Sequence, residues 1–349
     1  MRAAFYQEYG GPDVLTVGEL PAPKVGPSEL LVRVRSASVN PVDWKIASGR
    51  LDTLLEVVFP VVPGWDVAGV VEAVGLDTPE FAVGDEVFAY ARKDLVHGGT
   101  LAELVTVPVR AVARKPAALS WTQAGALPLA GLTAYQMLTR LGVRRGDVVL
   151  VHAASGGIGC LAVQVAHASG ARVIGTASAR NHDLVRDLGG EPVAYGPGVV
   201  DRVRELAPRG VDLVVDLVGG VLDVTRAVLA SGGRHGSIVD RAVASAGGLY
   251  GWVRPSAAGL TALARLADDD GLRVPIAATF ALDDVPDAWR MSREGQVAGK
   301  IAIDVSGVGS GREGVADALR PLSRRLLLRG SARRSAPSPS AGPVAGGVR

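Results

Sequence analysis

Ala153, Ala154, Ser155, Gly156, Gly157, Ile158 and Gly159 follow directly on the apolar run VVLVH at 148–152 and lead into the helix-like stretch CLAVQVAHASG. Set against a dinucleotide-binding turn, Ala154 takes the first glycine position, Gly156 the second and Gly159 the third. Each position carries a physical demand. Without a Cβ at Gly156 the backbone can approach a pyrophosphate. A glycine at 159 lets the helix close on the strand and aim its N-terminal dipole at phosphate oxygens. A plain structural βα turn is the alternative. The cofactor's identity turns on the next strand, RVIGT at 172–176, which runs on through Ala177, Ser178, Ala179, Arg180 and Asn181 with no acid before Asp183. An NAD site would place a carboxylate there to accept the ribose hydroxyls. Ser178 and Arg180 instead offer donors to a 2′-phosphate, Arg180 with charge assistance, and this predicts NADPH over NADH. A solvated surface arginine is the other reading of Arg180. Tyr195, ending the third strand, reads either as a neighbour of the adenosine phosphate or as a half-buried strand-end aromatic.

Those residues need a parallel sheet to hold them. From about residue 122 apolar runs at 148–152, 172–176, 192–195, 211–217, 235–239 and 248–253 alternate with helical stretches, the pattern of βαβ units. Six strands suffice for a full dinucleotide-binding sheet. Residues 1–121 differ in texture. Short β-type runs such as ELLVRVRSASV at 29–39, DVAGVVEAVG at 66–75 and DEVFAYA at 85–91 are punctuated by Gly and Pro, so a β-rich domain is expected there. After a helix near 256–267, residues 272–305 return to strand-like runs flanking a helical stretch at 284–294, as if completing the first domain. The assignment is a β-rich domain over 1–121 completed by 272–305, a nucleotide-binding domain over 122–271, and a tail over 306–349.

Gross composition bounds the function classes. A chain of 349 residues, 48% hydrophobic and 21% charged, suggests two folded domains. The net charge of +2 conceals an asymmetry: residues 306–349 hold eight Arg against Glu313 and Asp317, leaving about −4 for the rest. A nucleic-acid role would have to rest on that tail. Its Arg, Ser, Pro and Gly content predicts disorder, with a basic helix over 313–329 interrupted by Pro321 as the alternative. The single cysteine, Cys160, excludes a disulfide framework and any multi-cysteine metal site. Together with the absence of an apolar export segment or a membrane-length run, this predicts a cytoplasmic protein without membrane association.

Several motifs, in order, resemble the quinone oxidoreductase branch of the medium-chain dehydrogenase/reductase superfamily: VNPVDWK at 39–45, PGWDVAGVVEAVG at 63–75, VGDEVFAY at 83–90, LPLAGLTAY at 127–135, HAASGGIG at 152–159 and AGKIAI at 298–303. The resemblance covers roughly 1–305. It implies an α/β fold with a Rossmann doubly wound sheet and a GroES-like catalytic domain whose cleft holds the nicotinamide, and a homodimer through the Rossmann sheet edge. Zinc-dependent relatives carry a His-Glu pair where this chain has Gly64, Trp65 and Asp66, and a cysteine ligand near Asn40. These departures imply zinc independence, since catalytic zinc needs about three convergent protein ligands.

By the same resemblance Asn40 and Lys45 lie near the nicotinamide, Lys45 as a donor to an enolate oxygen or as a proton source; the alternative for Lys45 is an exposed loop lysine after Pro41. Thr133 is placed beside the nicotinamide and ribose, or else bonded within its own helix. Asp43 reads as a loop-ordering residue, and so does His97, with a proton donor as the alternative for the histidine. Lys300 reads either as a cofactor neighbour or as a solvent-facing strand lysine. The function so implied is NADPH-dependent hydride transfer to a small quinone or α,β-unsaturated carbonyl compound. The alternatives are an enoyl-thioester reductase of lipid or polyketide synthesis and, from another class, a non-catalytic NADPH-binding sensor or nucleic-acid binder acting through the tail.

Overall fold

The computed structural model describes residues 1–295 and 297–307. β1 (Arg2–Phe5) and β2 (Thr16–Glu19) form an antiparallel pair. β3 (Glu29–Val39) is the spine of a larger sheet; Leu30, Val32 and Val34 point into the core while Arg33 faces out, the period of two that a half-buried strand requires. Where a loop is expected after Pro41, the chain forms α1 (Pro41–Ala47). The reason is local: Asn40 is an extended N-cap and Pro41 supplies the φ of a first helical turn, where its missing N–H costs nothing. The strands β4 (Glu56–Val62), β5 (Asp66–Val74), β6 (Glu86–Tyr90), β7 (Leu95–Gly98), β8 (Leu104–Pro108) and β9 (Val112–Arg114) follow. β4 pairs with β7, and the rest join the sheet of β3.

Beyond α2 (Trp121–Ala126) and α3 (Pro128–Leu141) strands and helices alternate: β10 (Val148–Val151), α4 (Gly159–Ala168), β11 (Arg172–Ala177), α5 (His182–Asp187), β12 (Gly190–Ala194), α6 (Val199–Leu206), β13 (Val211–Asp216), α7 (Leu222–Val228), β14 (Leu229–Ser237), α8 (Ala242–Ser245) and β15 (Leu249–Tyr250). All six strands are parallel in the order β12-β11-β10-β13-β14-β15, the doubly wound Rossmann arrangement. The unbroken apolar run of β10 now has its cause. Val149 and Val151 pack into the main core on one face, and Leu150 joins Ile174, Val203 and Val214 in a second core on the other. Two expected strands have different bounds: the run at 235–239 is the end of a strand that starts at Leu229, and 248–253 shortens to two residues.

After α9 (Ala257–Asp270) the chain adds β16 (Ile276–Ala281), α10 (Val285–Glu294) and β17 (Lys300–Asp304). β17 pairs antiparallel with β3, Ile301 opposite Val39, which sets Lys300 beside the end of β3. The second sheet therefore runs β16-β17-β3-β5-β6-β9, with β8 also on β3. Among the described residues no helix is long and apolar enough to cross a membrane. The expectation of a disordered tail lies, from residue 308 on, outside the described residues.

Candidate active site

Parallel strands deliver the loops that follow them to one edge, and the loop after β10 opens there into a cavity of about 490 Å³. Gly156, Gly157, Ile158 and Gly159 line it together with Asn40, Lys45, Trp65, Tyr90, Thr133 and Lys300, and Lys300 lies directly against the glycine turn. Four further wall residues, Leu217, Ile238, Tyr250 and Trp252, come from the carboxyl edges of β13 to β15 and the segments after them.

The glycines differ in what they do. Gly159 sits so close to the preceding turn that a Cβ would lie 2.0 Å from the Ala153 carbonyl oxygen, so only glycine permits this approach of α4 to β10. A Cβ on Gly156 would meet nothing nearer than that same oxygen at 3.3 Å, which leaves its outer face open to the cavity. A Cβ on Gly157 would stand 3.0 Å from Lys300 Cδ. Ala153 is the residue that takes the left-handed conformation, φ +55°, and turns the chain. Ala154 is fully buried, donates its N–H to the Thr176 carbonyl at 2.9 Å, and packs on Gly175. Ser155 is pinned on two sides: its carbonyl accepts the Gly299 N–H at 2.9 Å and its hydroxyl accepts from Asn181 Nδ2 at 3.1 Å.

Ser178, Arg180 and Tyr195 do not line the cavity. They follow β11 and β12 at the same edge, Ser178 half-buried, Arg180 exposed and Tyr195 65% exposed, more open than a half-buried strand-end aromatic would be. His152, given no role in the sequence reading, stands just before the turn. Burial pushes its pKa down to about 4, against the pull of Asp216, so it is neutral; Nδ1 lies 3.3 Å from Thr176 Oγ1, and Nε2 has no hydrogen-bond partner among the described residues.

Behind the cavity lining the polar groups are built around Asp66, the first residue of β5 and 0% exposed. Its carboxylate accepts from Leu129 N at 2.6 Å, Ser38 Oγ at 2.7 Å and Asn40 Nδ2 at 2.8 Å, with Lys300 Nζ at 3.5 Å. Lys300, 4% exposed, donates to Asn40 Oδ1 at 2.5 Å and more weakly to the Val39 carbonyl at 3.4 Å. The solvent-facing reading of Lys300 is therefore corrected: its strand is covered on that face. Burial lowers the Lys300 pKa, opposed by Asp66 and Asp43. Asp43 accepts the Asn40 N–H at 2.7 Å, and burial raises its pKa to about 7 despite that bond. It orders the turn into α1.

Lys45 reaches the cavity from α1, its ammonium 5.6 Å from the Trp44 ring centroid. Thr133 lines the cavity, and its hydroxyl donates within its own helix to the Leu129 carbonyl at 2.7 Å. His97 is not on this cavity wall; its Nδ1 bonds the Val58 carbonyl at 2.9 Å, the loop-ordering role. Sequence reasoning missed Trp65 and Tyr90, whose rings meet edge to face at 6.0 Å, and the joining of Asp66 to Lys300. Only their position within family-like motifs hinted at them.

Residues 26–117 match the family described as alcohol dehydrogenase GroES-like domain, and residues 188–303 the family described as zinc-binding dehydrogenase. The chain is 31% identical over 325 residues to the chloroplast envelope quinone oxidoreductase homolog of Arabidopsis thaliana, covering 87% of this chain and 98% of that one. It is 36% identical over 242 residues to the chloroplastic NADPH-dependent alkenal/one oxidoreductase of the same plant, 67% of this chain and 61% of that protein. Among solved structures it is similar to the quinone oxidoreductase from Coxiella burnetii, at TM-score 0.76, 33% identity and coverage of 87% and 99%. A mycobacterial protein complexed with NADPH is similar at TM-score 0.77, 28% identity and coverage of 87% and 100%. A GroES-like β-rich part with a Rossmann-type sheet, sharing one cavity, defines a class of NAD(P)-dependent oxidoreductases. The chain belongs to the medium-chain dehydrogenase/reductase superfamily, in its quinone oxidoreductase branch.

Proposed function

We propose that this chain reduces small quinones or α,β-unsaturated carbonyl compounds with NADPH and without a metal. The observation that carries the reading is the shared cavity, lined both by the glycine turn and by the donors Asn40 and Lys45. The glycine turn fits a dinucleotide: Gly156 lines the cavity without a side chain, so its backbone is open to a diphosphate, and the protein atom nearest a Cβ there would be the Ala153 carbonyl oxygen at 3.3 Å. Gly156, Gly157, Ile158 and Gly159 would face the diphosphate, with Ala154 and Ser155 shaping the turn. Ser178, Arg180 and Tyr195 would take the 2′-phosphate end, and Thr133 the nicotinamide end. Domain bounds of 1–121 with 272–305, and 122–271, belong to the same proposal.

When bound, NADPH supplies the hydride. The chain's part is to hold the acceptor and to meet the negative charge that develops on its oxygen. Lys45 Nζ donates a hydrogen bond to that oxygen and can release a proton to it. Apolar walls from Trp65, Leu129 and Trp252 keep water away and strengthen these contacts.

The donor set does not suit zinc. Asp66 already receives three hydrogen bonds and an ammonium, and its neighbours in space are amide, hydroxyl and lysine rather than thiolate or imidazole. A cytoplasmic setting and a homodimer through the edge strand β15, which among the described residues pairs with β14 alone, complete the reading. The test is NADPH oxidation by the purified full chain against quinones, alkenals and enoyl thioesters, with and without a chelator. Turnover of quinones or alkenals unaffected by chelation is expected. Preference for the thioesters would move the assignment to an enoyl-thioester reductase, and binding of NADPH with no turnover would make the protein a non-catalytic binder.

A further inference from the structure

We infer that Asp66 and Lys300 act as a two-point clamp that orients the Asn40 amide, so that its one uncommitted N–H donates to the carbonyl oxygen of the substrate. The inference rests on the reductase reading for the identity of the substrate, and on geometry for the clamp. An asparagine side chain has two faces of nearly equal shape, and its orientation is set by its partners. Here the partners leave one choice. An ionised carboxylate only accepts, so the group 2.8 Å from Asp66 Oδ2 must be the NH₂. An ammonium only donates, so the group 2.5 Å from Lys300 Nζ must be the carbonyl oxygen. The flipped amide would set oxygen against carboxylate and N–H against ammonium, two repulsions between buried groups. Ser38 and the Leu129 N–H hold Asp66 in turn, so the clamp is anchored in β3 and at the start of α3.

Asn40 Nδ2 carries two hydrogens, one committed to Asp66, while the residue lines the cavity. The second hydrogen is the donor the cavity receives. With Lys45 it makes this end of the cavity a place for an acceptor oxygen. Asp66 and Lys300 are positioning residues, acting through Asn40.

The chain contains two asparagines, Asn40 and Asn181, so selective ¹⁵N-asparagine labelling gives two side-chain amide pairs, assigned by the Asn40→Ala variant. Addition of cyclohexanone, a ketone without a conjugated bond to reduce, is expected to shift the Asn40 pair and leave Asn181 alone, whereas methylcyclohexane shifts neither. Lys300→Met should abolish the ketone response. Lys300→Gln, which keeps a donor without the charge, should retain it, and the Asn181 pair reports folding in each variant. An unresponsive Asn40 in the parent chain, or an undiminished response in a folded Lys300→Met, overturns the clamp. In kinetics, Lys300→Met should lower kcat/KM by about tenfold or more alone and by under about twofold on top of Asn40→Ala; additive losses also overturn it. Should no acceptor be turned over, the reductase reading fails, and the spectra still decide the amide's orientation.

Discussion

Lys300 Nζ stands 3.5 Å from Asp66 Oδ2 with side chains 5% and 0% exposed, an ion pair sealed between the last strand and the start of β5. Two charges taken out of water must answer each other, and here the hydrogen bonds from Ser38, Asn40 and Leu129 share the task.

Removing one partner should therefore cost more than removing both. Lys300→Met is expected to lose about 3 to 5 kcal/mol of unfolding free energy, since it leaves a buried carboxylate uncompensated. Combining it with Asp66→Asn should restore a substantial part. Urea unfolding of the parent, both single variants and the double provides the measurement, and strictly additive losses would refute the coupling.

Asp43 gives a pH dependence with a definite sign. Its pKa, raised from 3.8 to about 7 by burial, means that ionisation is costlier in the folded state than in the unfolded chain. The cost is absent below about pH 4, grows as pH rises, and is complete above about pH 7, where it reaches an order of 4 kcal/mol. Asp43→Asn keeps an acceptor for the Asn40 N–H and lacks the charge. Relative to the parent it should gain stability between pH 4 and pH 8, so a pH-independent difference in unfolding free energy would contradict this.

The two outer glycines of the turn should separate folding from binding. Gly159→Ala places a methyl group 2.0 Å from the Ala153 oxygen and should lower stability by about 3 kcal/mol or prevent folding. Gly156→Ala brings a methyl group to 3.3 Å from the Ala153 carbonyl oxygen, a contact that a shift of a few tenths of an ångström relieves, so its melting temperature should fall far less than that of Gly159→Ala while NADPH affinity falls about tenfold or more. Thermal melts and fluorescence titrations distinguish the two.

Arg180→Ala tests the choice of cofactor. Loss of a charge-assisted contact to the 2′-phosphate should weaken NADPH about 10- to 100-fold and NADH little, and the parent's preference should decline with salt. An unaltered ratio of the two dissociation constants would remove Arg180 from the phosphate site.

Lys45→Ala should lower kcat/KM for alkenals by about 10- to 100-fold with NADPH affinity retained. A variant as active as the parent would return Lys45 to the role of a surface lysine over Trp44.

Much of the architecture was legible because its signals are local. The alternation in residues 29–39 and the βα spacing around 148–168 each sit within one element, and the fold class follows from them together with the ordered motifs. Element bounds were less legible where tertiary pairing sets them: Leu229–Ser237 extends along β13 although its Gly-Gly pair and polar residues carry little strand propensity, and Pro41 reads as a loop residue until Asn40 caps a helix.

By itself the sequence determined the glycine turn, the lack of an acid after β11 and the absence of thiolate or imidazole at positions 40 and 64 to 66, because these are matters of residue type at short range. Only the tertiary structure decided that Lys300 is buried, that it meets an asparagine 260 positions away, and that Asp66 is held by an ion pair. A strand lysine looks alike whether its face is covered or wet. Which of the two occurs depends on the antiparallel return of β17 onto β3, a contact that no local pattern encodes.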